Sequence, residues 1–398
     1  MRVLINARLP SDTVGGVAQV LIGLASGLAE VAQPGEEYFF LTNRGEDSWF
    51  QPFVRGACRI VHGSTDVRAH VRRLLKRIPG AVQLNRALRD RQRSVSARPL
   101  ATSDGTAERL GADVVHFPYP GGFLTSIPTI YQPWDLQHVH YPEFFTAQQL
   151  LTRDLWYRTF SSQARFVSVA TEWGKKDLVE HLGVDPRKIE VVPVAPVLTA
   201  YTPPSAADVA ATRAQFDLPD QFAYYPARTW PHKNHLAIIY ALALLRSRGT
   251  VRQVVFSGSE TYAQDIHAEA VRLGVQNQVR FIGFVSPLVL QCIYAMATCL
   301  IFPSRFEGWG LPISEAFLAG VPVASSNASC LPETASGAAI LFEPDDIEAI
   351  AGSMEALFTD ETLRRELIRS GREVAQRLSW RSTAGQFREL YLRIAQGR

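Results

Sequence analysis

No apolar run in this chain approaches the roughly 18 residues that a membrane-spanning helix needs. The opening residues, MRVLINARLP, lack the pattern of a secretory leader and read as a first strand. Cysteine is scarce: Cys58, Cys292, Cys299 and Cys330 are the only four, and no metal or redox spacing links them. That excludes a disulfide framework and leaves buried, reduced thiols in a cytoplasmic protein. Charge of one sign is also missing, with a net of +3, so the bulk charge points to no nucleic-acid partner. Nor does any stretch look disordered, because 46% of residues are hydrophobic and 20% charged. A chain of 398 residues with this composition is expected to form two domains.

What is present is a repeated alternation of short apolar runs and helical patterns. Val3-Leu4-Ile5 reads as a buried strand, and a loop ending in Gly15-Gly16 leads into an apolar helical face from Val17 to Val31. Tyr38–Leu41, Arg59–Val61, Ala112–Phe117, Thr129–Tyr131, Phe166–Val169 and Ile189–Val192 read as further strands. Helical signals fill Gln148–Gln163 and Glu172–Leu182. Such alternation implies a parallel sheet with helices on both faces. Leu198–Ala207 is turn-rich and reads as a linker, after which the architecture repeats. Asp345-Asp346 suit a helix N-cap, and two helices, Glu361–Arg377 and Trp380–Ala395, are expected at the end. The expected division is an N-terminal domain over 1–197 and a C-terminal domain over 198–379, with a last helix at about 380–398.

One stretch departs from this rhythm. From Arg68 to Arg109 there are eleven Lys or Arg against three Asp or Glu. Val67, Val71, Leu74, Leu75 and Ile78 fall at helical spacing among them, as in a basic amphipathic helix. This insertion, about 67–109, reads equally as a landing surface for anionic lipid through Arg68–Arg98 or as a solvated, arginine-rich excursion. The protein is accordingly expected in the cytoplasm, with contact at the inner membrane face as the open alternative.

The chemistry concentrates in FPSRFEGWGLPISEAFLAGVPVASSNASCLPE, from Phe302 to Glu333. A strand ends at Pro303, a loop holds Glu307, Gly308 and Gly310, and Pro312 suits a first helical position with Gly320 as the stop. A strand, a glycine-bearing loop and a helix form the usual nucleotide crevice of an open α/β sheet. Glu307 and Glu315, seven residues between them, would be repelled by phosphate and should instead accept hydrogen bonds from sugar hydroxyls.

This string resembles the E-x7-E signature of retaining glycosyltransferases of family 4, which have the GT-B fold: α/β, two Rossmann-like doubly wound domains facing each other across a cleft. The resemblance implies that Glu307 meets the donor sugar and Glu315 the ribose of a nucleotide. It also gives weight to Arg228 and Lys233, five apart in ARTWPHKN, as the R-x4-K pair that neutralises the leaving diphosphate in place of a metal. No Asp-x-Asp occurs in the chain, consistent with that chemistry. Gly15 and Gly16 would approach the diphosphate. Gly258, Phe284 and Val285 would line the nucleotide side, and Gly308, Gly310 and Leu311 the loop beside the sugar. No cofactor and no metal are expected. His138-Val139-His140 has no Cys or carboxylate at ligand spacing nearby, which disfavours a metal there.

One position leaves the family pattern. Where relatives carry His-Asp after the strand ending at Tyr131, this chain has Trp134-Asp135. Trp134 is expected on a ligand-facing loop, donating through its indole or stacking on a sugar, with Asp135, His138 or His140 as compensating groups. The reading that follows is a metal-independent, retaining hexosyltransferase. It would take a nucleotide-sugar donor, mannose from GDP-mannose first, to a glycan or lipid-linked acceptor in cell-surface polysaccharide synthesis. The alternatives are a UDP- or TDP-sugar transferase of the same fold, or a weakly active nucleotide-sugar-binding partner of another transferase. Oligomeric state, base, sugar and acceptor are left open by the sequence.

Overall fold

Seven short runs of the first half, five of them largely buried, pair into one sheet. They are β1 (Arg2–Asn6), β2 (Glu37–Thr42), β3 (Cys58–His62), β4 (Val114–Phe117), β5 (Thr129–Tyr131), β6 (Phe166–Val169) and β7 (Ile189–Val191). Their order is β3-β2-β1-β4-β5-β6-β7. The structure is a computed structural model that describes residues 1–9, 15–63, 96–200 and 202–397. Most of the basic segment read from Val67 to Arg98 therefore lies outside the described residues.

In the centre, β1 runs parallel to both neighbours, with Val3 opposite Tyr38 on one side and Val114 on the other. Val3, Leu4 and Ile5 are fully buried, as a central strand covered on both faces requires. Each such side chain contributes about 1.5–3 kcal/mol relative to exposure, so an unbroken apolar run is what holds this position.

The second half repeats the plan with β8 (Ala223–Pro226), β9 (Val254–Ser257), β10 (Val279–Phe281), β11 (Cys299–Phe302), β12 (Val323–Ser326) and β13 (Ala339–Phe342). Their order is β10-β9-β8-β11-β12-β13, again with parallel registers. Helices His235–Ser247 and Ile347–Thr359 contribute Ile238, Ile239, Leu242, Ile350, Met354 and Leu357 to its core. Both sheets are doubly wound, which is the α/β class the alternation implied.

The chain separates into two compact units. The described residues of Met1–Ser168, Leu178–Glu190 and Ala384–Arg398 make one, and Val169–Asp177 with Val191–Thr383 make the other. The end of the last helix, Trp380–Ala395, belongs to the first unit and makes polar contacts within it. Arg388 pairs with Glu36 at 2.7 Å, Arg393 with Glu190 at 2.7 Å, and the Tyr391 hydroxyl meets His116 Nδ1 at 2.7 Å.

Local details follow sequence chemistry in most places. Asp346 caps the helix Ile347–Thr359 by accepting from the Ala349 amide, whereas its neighbour Asp345 pairs with Arg305. The turn-rich stretch from Leu198 ends in an unforeseen helix, Ala206–Phe216, started by a reciprocal Ser205–Asp208 capping box.

Candidate active site

In an open parallel sheet, ligands bind beyond the carboxyl ends of the strands where the strand order reverses. In the second unit that reversal lies between β8 and β11. The loop after β8 carries Arg228 and Lys233, and the loop after β11 carries Glu307, Gly308 and Gly310. Sheet order therefore brings together side chains far apart in sequence.

Lys233 Nζ lies 2.5 Å from Glu307 Oε1, with the two side chains 17% and 12% exposed. Each end of the pair is held from its own loop. Tyr225, at the end of β8, donates its hydroxyl to the Lys233 carbonyl at 2.6 Å. The Glu307 amide donates to Ser329 Oγ at 3.0 Å, and that hydroxyl donates back to the Glu307 carbonyl at 3.1 Å. Arg228 is half-buried with its guanidinium carbon 5.3 Å from the Trp230 ring centroid. Cation and aromatic face attract there, which orients the guanidinium.

The glycines of this region serve close approach. Gly310 caps the helix Leu311–Ala319 at φ 91°, and a Cβ there would fall 2.7 Å from Leu331 Cδ2. Gly258, after β9, has φ 129°, and a Cβ would stand 2.7 Å from the Ala227 carbonyl oxygen. Its amide donates to the Gly283 carbonyl at 2.8 Å, so the loops after β8, β9 and β10 lie against one another. Beyond them Phe284 is 67% exposed and Val285 half-buried. Leu311, the first residue of its helix, is half-buried too.

Glu315 sits one turn into that helix and is 3% exposed. Burial pushes its carboxyl up to about 7, partly offset by a hydrogen bond from Tyr294 Oη to Oε2 at 2.9 Å. His232 and His235, which flank Lys233, are buried, and desolvation pushes them down to about 2 and about 3. They are neutral rings of the loop base and the helix start, and the cations available here are Arg228 and Lys233.

The first unit places the remaining residues. Gly15 precedes the helix Gly16–Val31 in an extended conformation, φ −152°, so no left-handed turn calls for glycine there. Trp134 has φ 70°, which a bulky residue rarely adopts and which signals a site constraint or stored strain. Its indole Nε1 donates to the Pro118 carbonyl at 2.9 Å, so the N–H expected to be free for a ligand is engaged by backbone. Asp135 accepts from the Gln137 amide at 3.1 Å.

His138 cannot compensate from the surface. It is 4% exposed, its ring 4.7 Å from that of Tyr157, and burial pushes it down to about 4. His140 is exposed and its ring lies 4.8 Å from that of His181.

Sequence reasoning missed Tyr294, Ser329 and the buried His116, which joins Tyr391 and Gln132 Oε1. Their partners are remote in sequence, and no local pattern announces them.

Two doubly wound units, one with a cation–carboxylate pair at its switch point and a buried glutamate beside it, make an α/β architecture with a polar crevice at its strand ends. Residues 15–195 match the glycosyl transferase 4-like domain, and residues 210–374 match the glycosyl transferases group 1 domain. Together the matches take in most of the chain, which belongs to this family of GT-B glycosyltransferases. An O-antigen chain mannosyltransferase B from Escherichia coli is 27% identical over 56% of this chain and 59% of its own. The serotype-specific mannosyltransferase WbdA, also from E. coli, is 30% identical over 48% of this chain and 24% of its own. The chain thus spans little more than half of the first of these relatives and a quarter of the second. Among solved structures, Anabaena Alr3699/HepE in complex with UDP and glucose superposes with a TM-score of 0.69 at 16% identity, covering 98% of this chain and 99% of that one. At that identity the likeness is one of fold.

Proposed function

We propose that this chain is a retaining, metal-independent hexosyltransferase. It takes a nucleotide sugar, GDP-mannose first, and passes the sugar to a glycan or lipid-linked acceptor in surface-polysaccharide synthesis. The observation that carries this reading is the Lys233–Glu307 pair at the strand-order reversal, with buried Glu315 on the adjoining helix. The names of the mannosyltransferase relatives support the choice of sugar.

Arg228 and Lys233 neutralise the charge that grows on the departing diphosphate, through preorganised charge-assisted bonds. Glu307 accepts from hydroxyls of the sugar, and Glu315 from those of the ribose. The acceptor hydroxyl attacks on the face the diphosphate leaves, so the leaving oxygen takes its proton and the anomeric configuration is kept. No protein nucleophile enters the scheme. No helix among the described residues is long and apolar enough to cross a membrane. An acceptor on lipid would be met from the surface, with the basic insertion at 67–109 as its contact.

A second reading, a nucleotide-sugar-binding partner of weak activity, is favoured by Trp134, whose indole N–H is engaged with Pro118. A donor panel of GDP-mannose, UDP-glucose and TDP-glucose separates the two, with product configuration read by NMR and the reaction repeated in EDTA. Sugar transfer with retained configuration and an unchanged rate in EDTA is expected. Donor binding without turnover favours the second reading. Inversion, or loss of activity in EDTA restored by manganese, refutes the mechanism.

A further inference from the structure

Glu315 is placed where a charged carboxylate is costly. It is 3% exposed, and no cation among the described residues pairs with it. Its described partner is the Tyr294 hydroxyl, on the helix Pro287–Met296, at 2.9 Å from Oε2. Tyr294 is fixed in turn. It is 1% exposed and its ring packs edge-on against Tyr224, centroids 5.2 Å apart at 83°. The Pro312 carbonyl lies 3.3 Å from the same hydroxyl. A phenol has one proton, and the shorter contact to a carboxylate takes it.

Other ionisable groups around this helix look elsewhere. The Tyr224 hydroxyl meets Ser257 Oγ at 2.6 Å. On the helix Glu361–Gln376, Arg364 donates to the Leu357 and Phe358 carbonyls, and Arg372 lies at Gly320, past the far end of the Glu315 helix. The Cys299 thiol is kept protonated by burial. Burial dominates the protonation state of Glu315, and the Tyr294 hydroxyl is the described group that opposes it and fixes the direction of the carboxylate.

We propose that Tyr294 is a positioning residue for nucleotide recognition: its hydroxyl fixes Oε2 of Glu315 so that the second oxygen is presented to the vicinal hydroxyls of a ribose. This rests on the reading of the site given above. A ribose diol offers two donors and needs an acceptor, which a carboxylate supplies at both oxygens and a protonated acid at fewer. Without the phenol, nothing opposes the burial that favours the acid, and the carboxyl is free to turn about its terminal torsion.

The test is Tyr294→Phe, which keeps the ring and removes the bond. Calorimetry with GDP and UDP, and with their 2′,3′-dideoxy forms, is run from pH 6 to 9. The variant should bind the ribonucleotide about 10-fold more weakly at pH 7, as expected for loss of a bond to a charged group. The deficit should shrink towards pH 9. Both proteins should bind the dideoxy form alike. A second measurement needs no nucleotide: the melting temperature of each protein is compared with that of its Glu315→Gln form across pH. The midpoint of that difference should move upward in Tyr294→Phe. Equal losses for ribose and dideoxy nucleotides, or an unmoved midpoint, would make Tyr294 a packing residue only and overturn the proposal. A parent that binds no nucleotide at all refutes the functional reading, and this proposal falls with it.

Discussion

Glu307→Gln should tighten the binding of a bare nucleoside diphosphate. In the free protein the Lys233 ammonium is already committed to Glu307 at 2.5 Å, in surroundings that leave the two side chains 17% and 12% exposed. A diphosphate entering this loop must share or break that bond. Hydrogen bonds involving a charged group contribute about 1.5–3 kcal/mol, with ion–ion pairs at the strong end and an ammonium bound to a neutral amide at the weak end. The glutamine keeps the shape and an acceptor but gives up the charge, which removes about 1–1.5 kcal/mol of competition, or roughly 5- to 10-fold in affinity. Turnover with the sugar donor should fall at the same time, because the sugar hydroxyls lose a charged acceptor. Calorimetry with GDP and UDP at low and high salt gives the affinity, and single-turnover transfer gives the rate. Circular dichroism confirms that the variant is folded. A folded variant whose diphosphate affinity is unchanged or weaker would show that the pair does not stand between lysine and phosphate.

Glu315→Gln should stabilise the protein at alkaline pH. The folded carboxyl lies at about 7 against an ordinary 4.5, so the charged form is disfavoured by folding. The resulting cost is absent below about 4.5, grows between 4.5 and 7 and is full above 7, on the order of 3 kcal/mol. Melting temperatures of parent and variant should therefore diverge as pH rises through that window, while nucleotide binding by the variant is weakened; parallel melting curves would contradict it. Arg228→Ala or Lys233→Ala should slow transfer about 100-fold or more, as loss of one preorganised donor does, and Lys233→Ala should also lower melting because Glu307 loses its cation. Gly310→Ala should lower stability by about 1–3 kcal/mol, because a Cβ at φ 91° also meets Leu331; an unchanged denaturation midpoint would show that the turn relaxes freely. Trp134→His should fold and either raise transfer or change the sugar accepted, whereas Trp134→Ala distinguishes packing from function. A large drop in melting with unaltered kinetics in the folded fraction would mark Trp134 as a packing residue.

Much of the fold could be read from the chain because its signals are local. Val3-Leu4-Ile5 and Cys299–Phe302 are unbroken apolar runs, and a strand buried on both faces demands that pattern. The helix Leu311–Ala319 lies between Gly310 and Gly320, whose φ of 72° is the left-handed stop that glycine accepts without strain. The site was legible as a set of residue types and not as a set of contacts. Lys233 and Glu307 are 74 positions apart, and only the adjacency of β8 and β11 makes them partners. Tyr294 lies in a helix whose apolar pattern gives no reason to single it out. His138 was expected among the groups compensating for Trp134, close to a ligand-facing loop. Yet the short helix Gln137–His140 turns it inward onto Tyr157, and no propensity or spacing predicts that.

The adjacency of β8 and β11 has a consequence for how this unit can be cut and rejoined. Between them in sequence, the chain goes out through β9 and β10 to one edge of the sheet and comes back before adding β12 and β13 on the other side. Lys233 and Glu307 thus flank a detour in the polypeptide while sitting on the loops that follow neighbouring strands. A break placed in the detour, such as at the exposed Gln276–Asn277 bend between Gly274 and β10, interrupts the covalent path and leaves the hydrogen-bonded one intact. The unit should therefore tolerate nicking or circular permutation there, with the two halves of its site still registered by the pairing of Cys299 with Ala223 and Leu300 with Tyr224.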